Sequence, residues 1–303
     1  MARINIIDGN SIGHAAHRST RLSAGGLQTQ AVFGFIRTLR DMLIEHPDFT
    51  PMVLWDGKAQ WRFDLHPEYK SNRDNDPKKV EERKHYVAQR PYIARALEHL
   101  GVRQMTVMTH EADDMAGHLV GQLTKQPTNE ILLSTGDQDW IQLVRPGVTW
   151  RDHRDDSKIV MMDNLMDKTG YPTPYAFLEG KCLQGDTSDV ISGVGGIGEK
   201  GAPEFIAEFG SVRKFWQRCD SGEFVPKKKA HQRLASPEGR AVFRRNFRLM
   251  QLLKPPVPDP KDVRVVQGKL DIDKFAEVCE ELAFASILRN VENFCKPFAK
   301  RSA

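Results

Sequence analysis

The chain is poor in cysteine, and the four it has (Cys182, Cys219, Cys279, Cys295) are scattered and form no CxxC pair. That excludes a disulfide scaffold and a cysteine-rich zinc site, and it fits a reducing compartment. No run of 18 or more apolar residues exists, so no membrane span or membrane partner is expected. The amino terminus, MARINIIDGN, lacks a signal-peptide pattern, because its apolar stretch is short and runs straight into Asp8. Internal repeats are absent. A large excess of one charge is absent too, with 44 Lys+Arg against 40 Asp+Glu in 303 residues. The chain is 40% hydrophobic, too apolar to be wholly disordered, and long enough for one large α/β domain or two modest ones.

The balanced charge is unevenly placed. Residues 200–250 carry 12 Lys/Arg and 5 Asp/Glu, and residues 58–95 carry 10 and 6, so the rest of the chain is net acidic. Basic segments of this kind suit a phosphate backbone, although a solvated surface would look the same.

Periodicity places short apolar strands at 3–7, 52–55, 103–108 and 130–133. Helical patterns lie between them, at about 27–45, 77–100 and 111–123, with Pro91 expected to bend or divide the second. Strands alternating with helices predict an α/β fold with a mostly parallel central sheet flanked by helices. From 173 the pattern is helical around a glycine-rich centre, Gly193-Val194-Gly195-Gly196-Ile197-Gly198, with the following helix opening at about Glu199. A proline-rich stretch, 253–262, reads as a linker or extended wrap, and one amphipathic helix is expected at about 272–291.

Carboxylates follow each strand. Asp8 and Asp56 end the first two, Glu111, Asp113 and Asp114 open the helix after the third, and Asp137 and Asp139 follow the fourth. In a parallel sheet those ends share one edge, where sites are built. Like charges gathered there repel unless a hard cation sits among them. Mg²⁺ or Mn²⁺ takes oxygen ligands, and two such ions form the usual clamp for phosphodiester hydrolysis. Helix capping alone would explain one such acid but not four strand ends. Asp186 and Asp189 are three apart and can complete a second ion site, which makes nine acids.

Rival chemistries fit less well. A haloacid-dehalogenase-type phosphatase needs a second Asp two residues after Asp8, and Asn10 stands there. His14 and His17 have no third zinc ligand nearby. The glycine run is no dinucleotide fingerprint, since it follows a helix, and no Walker A loop, since Gly201 follows Lys200. It can instead grip a backbone phosphate through exposed amides, with Lys200 beside it. In 66–73, Lys70 and Arg73 are candidates for the scissile phosphate and Tyr69 for stacking on a base. Lys84 and Arg90 extend that surface, or simply form a solvated helix face.

Six strings, IIDGN (6–10), WDG (55–57), HPEYKSNRD (66–74), HEADD (110–114), STGDQDW (134–140) and LQGDTSDVISGVGGIGEKGA (183–202), together resemble the 5′-nuclease superfamily in order. That superfamily includes flap endonucleases, bacteriophage 5′→3′ exonucleases and the 5′-nuclease domain of bacterial DNA polymerase I. The 66–73 string is most similar to phage members. The resemblance implies a PIN-like nuclease core over 1–172, with a helical arch at about 65–100 that a single-stranded 5′ end passes. It implies a helix–hairpin–helix region over 173–255 that binds duplex DNA, with K⁺, through Gly193, Gly195, Gly196, Gly198 and Lys200. A C-terminal linker and helix, 256–303, would follow.

It further implies that Asp8, Asp56, Glu111, Asp113 and Asp114 carry one metal, directly or through water, and that Asp137, Asp139, Asp186 and Asp189 carry the other. Lys70 and Arg73 would act at the scissile phosphate, with Asp8, Asp113 and Asp137 as the central catalytic acids. Val190-Ile191-Ser192 departs from the Asn, aliphatic, Pro of many members. The implied activity is 5′→3′ exonuclease and flap endonuclease action on DNA at single-strand/duplex junctions, extending to RNA–DNA, by a monomer in the cytoplasm of a bacterium or phage-infected cell. With no polymerase inside 303 residues, a stand-alone nuclease is expected. A PIN-like nuclease directed at single strands or RNA, and a non-catalytic DNA-junction binder, are the alternatives.

Overall fold

The computed structural model describes residues 1–299. In chain order its strands are Arg3–Asp8 (β1), Ser23–Ala24 (β2), Leu27–Gln28 (β3), Thr50–Trp55 (β4), Arg103–Val107 (β5), Glu130–Ser134 (β6), Val148–Arg151 (β7), Ile159–Val160 (β8), Gly185–Asp186 (β9), Ile191–Ser192 (β10) and Val263–Val266 (β11). The helices are Gly9–His17 (α1), Gln30–Glu45 (α2), Gln60–Leu65 (α3), Pro77–His99 (α4), Ala112–Leu123 (α5), Leu165–Thr169 (α6), Pro174–Gln184 (α7), Gly201–Phe209 (α8), Val212–Asp220 (α9), Lys229–Ala235 (α10), Pro237–Met250 (α11), Ile272–Glu281 (α12), Ala285–Leu288 (α13) and Val291–Ala299 (α14).

Seven strands form one sheet in the order β11-β5-β4-β1-β6-β7-β8. The five central strands run parallel, and the edge strands β11 and β8 pair antiparallel. The fold is therefore the expected α/β class with a mainly parallel sheet. Alternate strand residues serve opposite faces. Ile6 and Leu54 join one apolar cluster with α5, α7 and the glycine-rich region. Ile7, Val53 and Trp55 join the other with α2, α4 and the C-terminal helices. No helix among the described residues is long and apolar enough to cross a membrane.

Three expectations need correction. Pro91 does not divide the helix within the 65–100 segment. Asp76 caps α4 through the amides of Lys78 and Lys79, and α4 runs unbroken through Pro91. From Tyr86 onward its buried residues (Gln89, Ile93, Ala96, Leu97) pack on α2 and α12, because that half carries the apolar positions. The stretch before Tyr86 is more exposed, with Arg83 bonded to Asp74 and to the Arg73 carbonyl. Next, α2 begins at Gln30, since Leu27 and Gln28 pair with β2 in a small hairpin.

The C-terminal segment is also more than a linker and one helix. Its Val263–Val266 strand extends the main sheet beside β5. Three short helices follow, the first two divided at Ala283, which has φ +57. The end of the segment, 300–303, lies outside the described residues.

Candidate active site

One open cleft of about 1130 Å³ lies at the C-terminal ends of β1, β4 and β6. Eight of the nine candidate acids line it: Asp8, Asp56, Glu111, Asp113, Asp137, Asp139, Asp186 and Asp189. Lys70 and Arg73 line it too.

Asp8 ends β1 and caps α1, accepting from the Ser11 amide at 2.9 Å and the Thr135 hydroxyl at 2.8 Å. Asp56 accepts from the Ala112 amide at 2.8 Å, so the end of β4 is tied to the start of α5. Asp113 accepts from the Trp140 indole at 2.7 Å. Asp137 accepts from the Asp139 amide at 2.8 Å, and Asp139 lies 2.9 Å from the Lys181 ammonium. Asp186 holds the Ser188 amide and hydroxyl.

Burial is the main cause of raised carboxyl pKa values here, and neighbouring acids add to it. Asp8 is pushed up to about 6 by burial and by Asp56. Asp137 is pushed up to about 7 by burial and by Asp139. Asp113 is raised by burial, then by Asp137, Asp56 and Asp8. The protein itself supplies no cation that pairs with these three among the described residues.

Next to them the situation reverses. Arg62 is buried and makes two 2.6 Å hydrogen bonds to Asp114, lies 3.3 Å from Glu111 and donates to the Leu249 carbonyl at 3.0 Å. Lys70 donates to Glu111 at 2.6 Å and lies 3.7 Å from Asp189, and Arg73 donates to Asp189 at 3.3 Å. Burial pushes the Glu111 carboxyl up, but Lys70 and Arg62 outweigh it and hold it below the usual range. Burial raises Asp189 despite its two cations.

Several assignments change on this geometry. Asp114 does not line the cleft, because it is fully buried and Arg62 occupies both its oxygens. Tyr69 does not present a ring for base stacking. Its ring packs edge-on against Phe63 in the core, and its hydroxyl donates to Glu111 at 3.0 Å.

Lys84 and Arg90 do not reach the cleft. Lys84 is exposed and pairs with Glu81 at 3.7 Å, while Arg90 lies over the Trp55 ring at the edge of a separate groove. The cleft instead takes its further cations from Arg18, Arg83, Arg154 and Lys181, with His14 beside them, none of which the sequence singled out for it. The spacing of His14 and Arg18 on α1, and a lone lysine (Lys181) in the mostly apolar α7, were readable signals.

The glycine-rich turn is built tightly. A Cβ at Gly193 would stand 2.2 Å from the Gln184 carbonyl, and Gly195 and Gly196 take φ +80 and +91. Val194 and Ile197 anchor it in the core. Asn246 of α11 donates to the carbonyls of Cys182 and Ser192 and pins both sides of the turn. Gly198 and Lys200 sit on its open side, and the next helix begins at Gly201 rather than at Glu199.

The cleft fits a hard cation by donor chemistry, since its acids are oxygen donors that raise one another's pKa. It is not a finished coordination shell. Among the described residues, no three acidic, His or Cys side chains are gathered tightly enough to hold an ion. The side chains turn instead to hydroxyls, amides, an indole and Lys181, as like charges do when they are left to themselves.

Comparison with known proteins agrees with this architecture. The model for the 5′-3′ exonuclease N-terminal resolvase-like domain matches residues 3–170, and that for the 5′-3′ exonuclease C-terminal SAM fold matches 172–266. DNA polymerase I of Lactococcus lactis subsp. lactis is 29% identical over 296 residues, covering 93% of this chain and 32% of that protein. DNA polymerase I of Mycobacterium tuberculosis is 32% identical over 227 residues, covering 71% of this chain and 24% of that protein. The chain thus spans about a third or less of the length of these curated relatives.

Among solved structures, bacteriophage T5 5′-exonuclease with bound divalent metal ions (zinc) superposes with TM-score 0.68 at 21% identity, covering 99% of this chain and 100% of that one. The bacteriophage T5 flap endonuclease in a pseudo-enzyme–product complex with DNA and metal ions also gives 0.68 at 21% identity, covering 98% of each. These two show a shared fold. Matched by its N-terminal model over more than half of its length, the chain belongs to the 5′-3′ exonuclease family.

Proposed function

We propose that the chain is a divalent-metal-dependent, structure-specific nuclease. It hydrolyses phosphodiester bonds of DNA near a 5′ end, where single strand meets duplex, and leaves a 5′-phosphate and a 3′-hydroxyl. The observation that carries this reading is a single cleft holding eight carboxylates with Lys70 and Arg73 on its wall. The metal-bound and DNA-bound T5 neighbours support it.

Asp8, Asp56, Glu111 and Asp113 would hold one Mg²⁺ or Mn²⁺ ion, and Asp137, Asp139, Asp186 and Asp189 a second. Bound ions would activate water and neutralise charge on the transferred phosphate. The chain's own residues do the positioning. Lys70 and Arg73, now paired with Glu111 and Asp189, can turn to the scissile phosphate. The Gly193–Lys200 turn grips the duplex without reading its sequence, with K⁺ as part of the same proposal. Exonuclease and flap cleavage follow from one cleft, RNA–DNA ends are included, and the working unit is a monomer.

The test uses 5′-labelled flap, nicked-duplex and single-stranded DNA, with Mg²⁺ or with EDTA. Mg²⁺-dependent cutting at the flap base is expected. A preference for single strands, or tight binding with no cutting, overturns the proposal.

A further inference from the structure

The sequence offered Arg90 as a DNA contact, and the structure places it outside the cleft, in a second groove of about 580 Å³. One face of α4 forms a wall of this groove, with Val87, Arg90, Ala94 and Glu98 at helical spacing. Trp55 lines it from the end of β4, and Gln104, Arg264 and Val266 line it from β5 and the edge strand β11. That helix face, 87–98, is about 16 Å long at 1.5 Å per residue.

Three features distinguish the groove. First, it carries free positive charge. Arg90 and Arg264 have no ion-pair partner among the described residues, Arg95 is paired with Glu281, and Glu98, eight residues on from Arg90 along α4, is the one acid in the lining, so the groove keeps a net positive charge. Second, Arg90 is held in place. Its guanidinium lies 5.2 Å from the centre of the Trp55 ring, and the Trp55 indole is fixed by donating to Gln104 at 3.0 Å. Third, the groove adjoins the acid cleft. Trp55 lines the groove and the next residue, Asp56, lines the cleft. One turn before Arg90, Tyr86 donates to Asn10, which donates to Asp56.

The groove also lies across the sheet from the glycine turn. Val194 and Ile197 belong to the first apolar cluster, and Trp55 to the second. A duplex held at the turn therefore approaches the acids from one side, and a strand crossing them emerges on the other. The cavity past Gln138 and Lys181 lies on the turn's side; its Lys181 and Lys158 are already paired with Asp139 and Asp155, and its Lys168 donates to the Ser157 carbonyl.

We infer that the α4–β11 groove binds the single-stranded 5′ extension of the substrate after it has passed the acid cleft. Arg90 and Arg264 contact its phosphates, and Val87 and Val266 give its bases an apolar border. This rests on the proposed nuclease reading and adds a path for the displaced strand.

The experiment measures affinity for flap substrates with one-nucleotide and ten-nucleotide 5′ extensions, in EDTA so that nothing is cut, across a salt series. The wild-type chain should bind the long flap more tightly, by about tenfold if two phosphates are contacted. Arg90→Gln with Arg264→Gln should remove most of that gain and lower the long-flap salt slope by about 1.4, at 0.7 per phosphate of single strand. Arg264→Glu, a change at an exposed position on an edge strand, tests charge without touching Trp55. Lys274→Gln, at an exposed residue of α12 that pairs with Asp271 and does not line the groove, should keep the gain.

If wild type shows no length effect, or the arginine variants keep it, the groove does not hold the strand. Cleavage of the same substrates with Mg²⁺ is read separately. Its absence would count against the nuclease reading, while the EDTA binding series still decides on the groove.

Discussion

Asp113 and Asp114 are neighbours at the start of α5, yet they sit in opposite electrostatic settings. Asp113 opens into the cleft with Asp8 and Asp137, where burial and neighbouring carboxylates raise its pKa and, among the described residues, no side-chain cation pairs with it. Asp114 is sealed against Arg62, whose guanidinium also reaches Glu111 and the end of α11. The protein has thus neutralised one half of its acidic cluster with its own arginines and a lysine and left the other half without such partners among the described residues. The paired half, Arg62–Asp114–Glu111–Tyr69–Lys70, ties α3, α5 and α11 together. The unpaired half stores repulsion that a metal ion would relieve.

The largest effects should separate the two halves cleanly. Asp113→Ala should lower Mg²⁺-dependent turnover roughly thousandfold, since loss of several kcal/mol of transition-state charge stabilisation costs about that much. DNA affinity in EDTA should stay near that of wild type. Arg62→Ala should act on the fold instead. It leaves Asp114 buried and uncompensated, which costs about 3–5 kcal/mol, and it should show as a lower urea midpoint. Arg62→Leu combined with Asp114→Leu should recover much of that loss. If Arg62→Ala unfolds at the wild-type midpoint, or if Asp113→Ala unfolds as readily as Arg62→Ala, the division fails.

This division also marks what the sequence could and could not tell. The strands, the parallel sheet and the acids at strand ends were legible, because apolar runs ending in Asp carry their own period and position. Adjacent helix positions are different. Nothing in HEADD says which Asp faces the cleft, because Arg62 decides that from 52 residues away. Tyr69 looked like an exposed aromatic because its neighbours are charged, but Phe63 and Glu111 draw it inward. The edge strand VRVV was hidden behind a proline-rich stretch, and its pairing with β5 is non-local.

A middle-sized effect should follow from pH. The Asp8 and Asp137 carboxyls are raised in the fold to about 6 and about 7, above their unfolded values. The stability tied to them is therefore full below about pH 4 and is lost as pH rises through 6 and 7. His14 and His153, pushed down to about 4 mainly by burial, act in the opposite sense below about pH 6.5. Glu179, raised to about 7 by burial, acts in the same sense as Asp137. The readout is accordingly the difference between wild type and Asp137→Asn in EDTA. The variant should be about 1–2 kcal/mol more stable at pH 8, with little difference at pH 5. Mg²⁺ should raise the Tm of wild type more than that of the variant, and more at pH 8 than at pH 5. A variant less stable than wild type at pH 8 would show that the unpaired half is not under repulsion.

The smallest effect concerns the backbone that carries the paired half. Val190 has φ +61, a left-handed conformation in which a β-branched residue is an outlier. It follows Asp189, the partner of Lys70 and Arg73, and its carbonyl lies 2.8 Å from the His66 ring nitrogen. Asn enters that region at low cost. Val190→Asn should therefore raise stability by about 1 kcal/mol, leaving the Lys70–Asp189 and Arg73–Asp189 pairs in place and turnover within about twofold of wild type. The measurement is a pair of urea curves with a flap-cleavage rate beside them. If the Asn variant is less stable, the strain is relieved by Val190 packing. If it is more stable but markedly slower, the strained turn is what aims Asp189 at the cleft, and the paired half then serves the reaction as well as the fold.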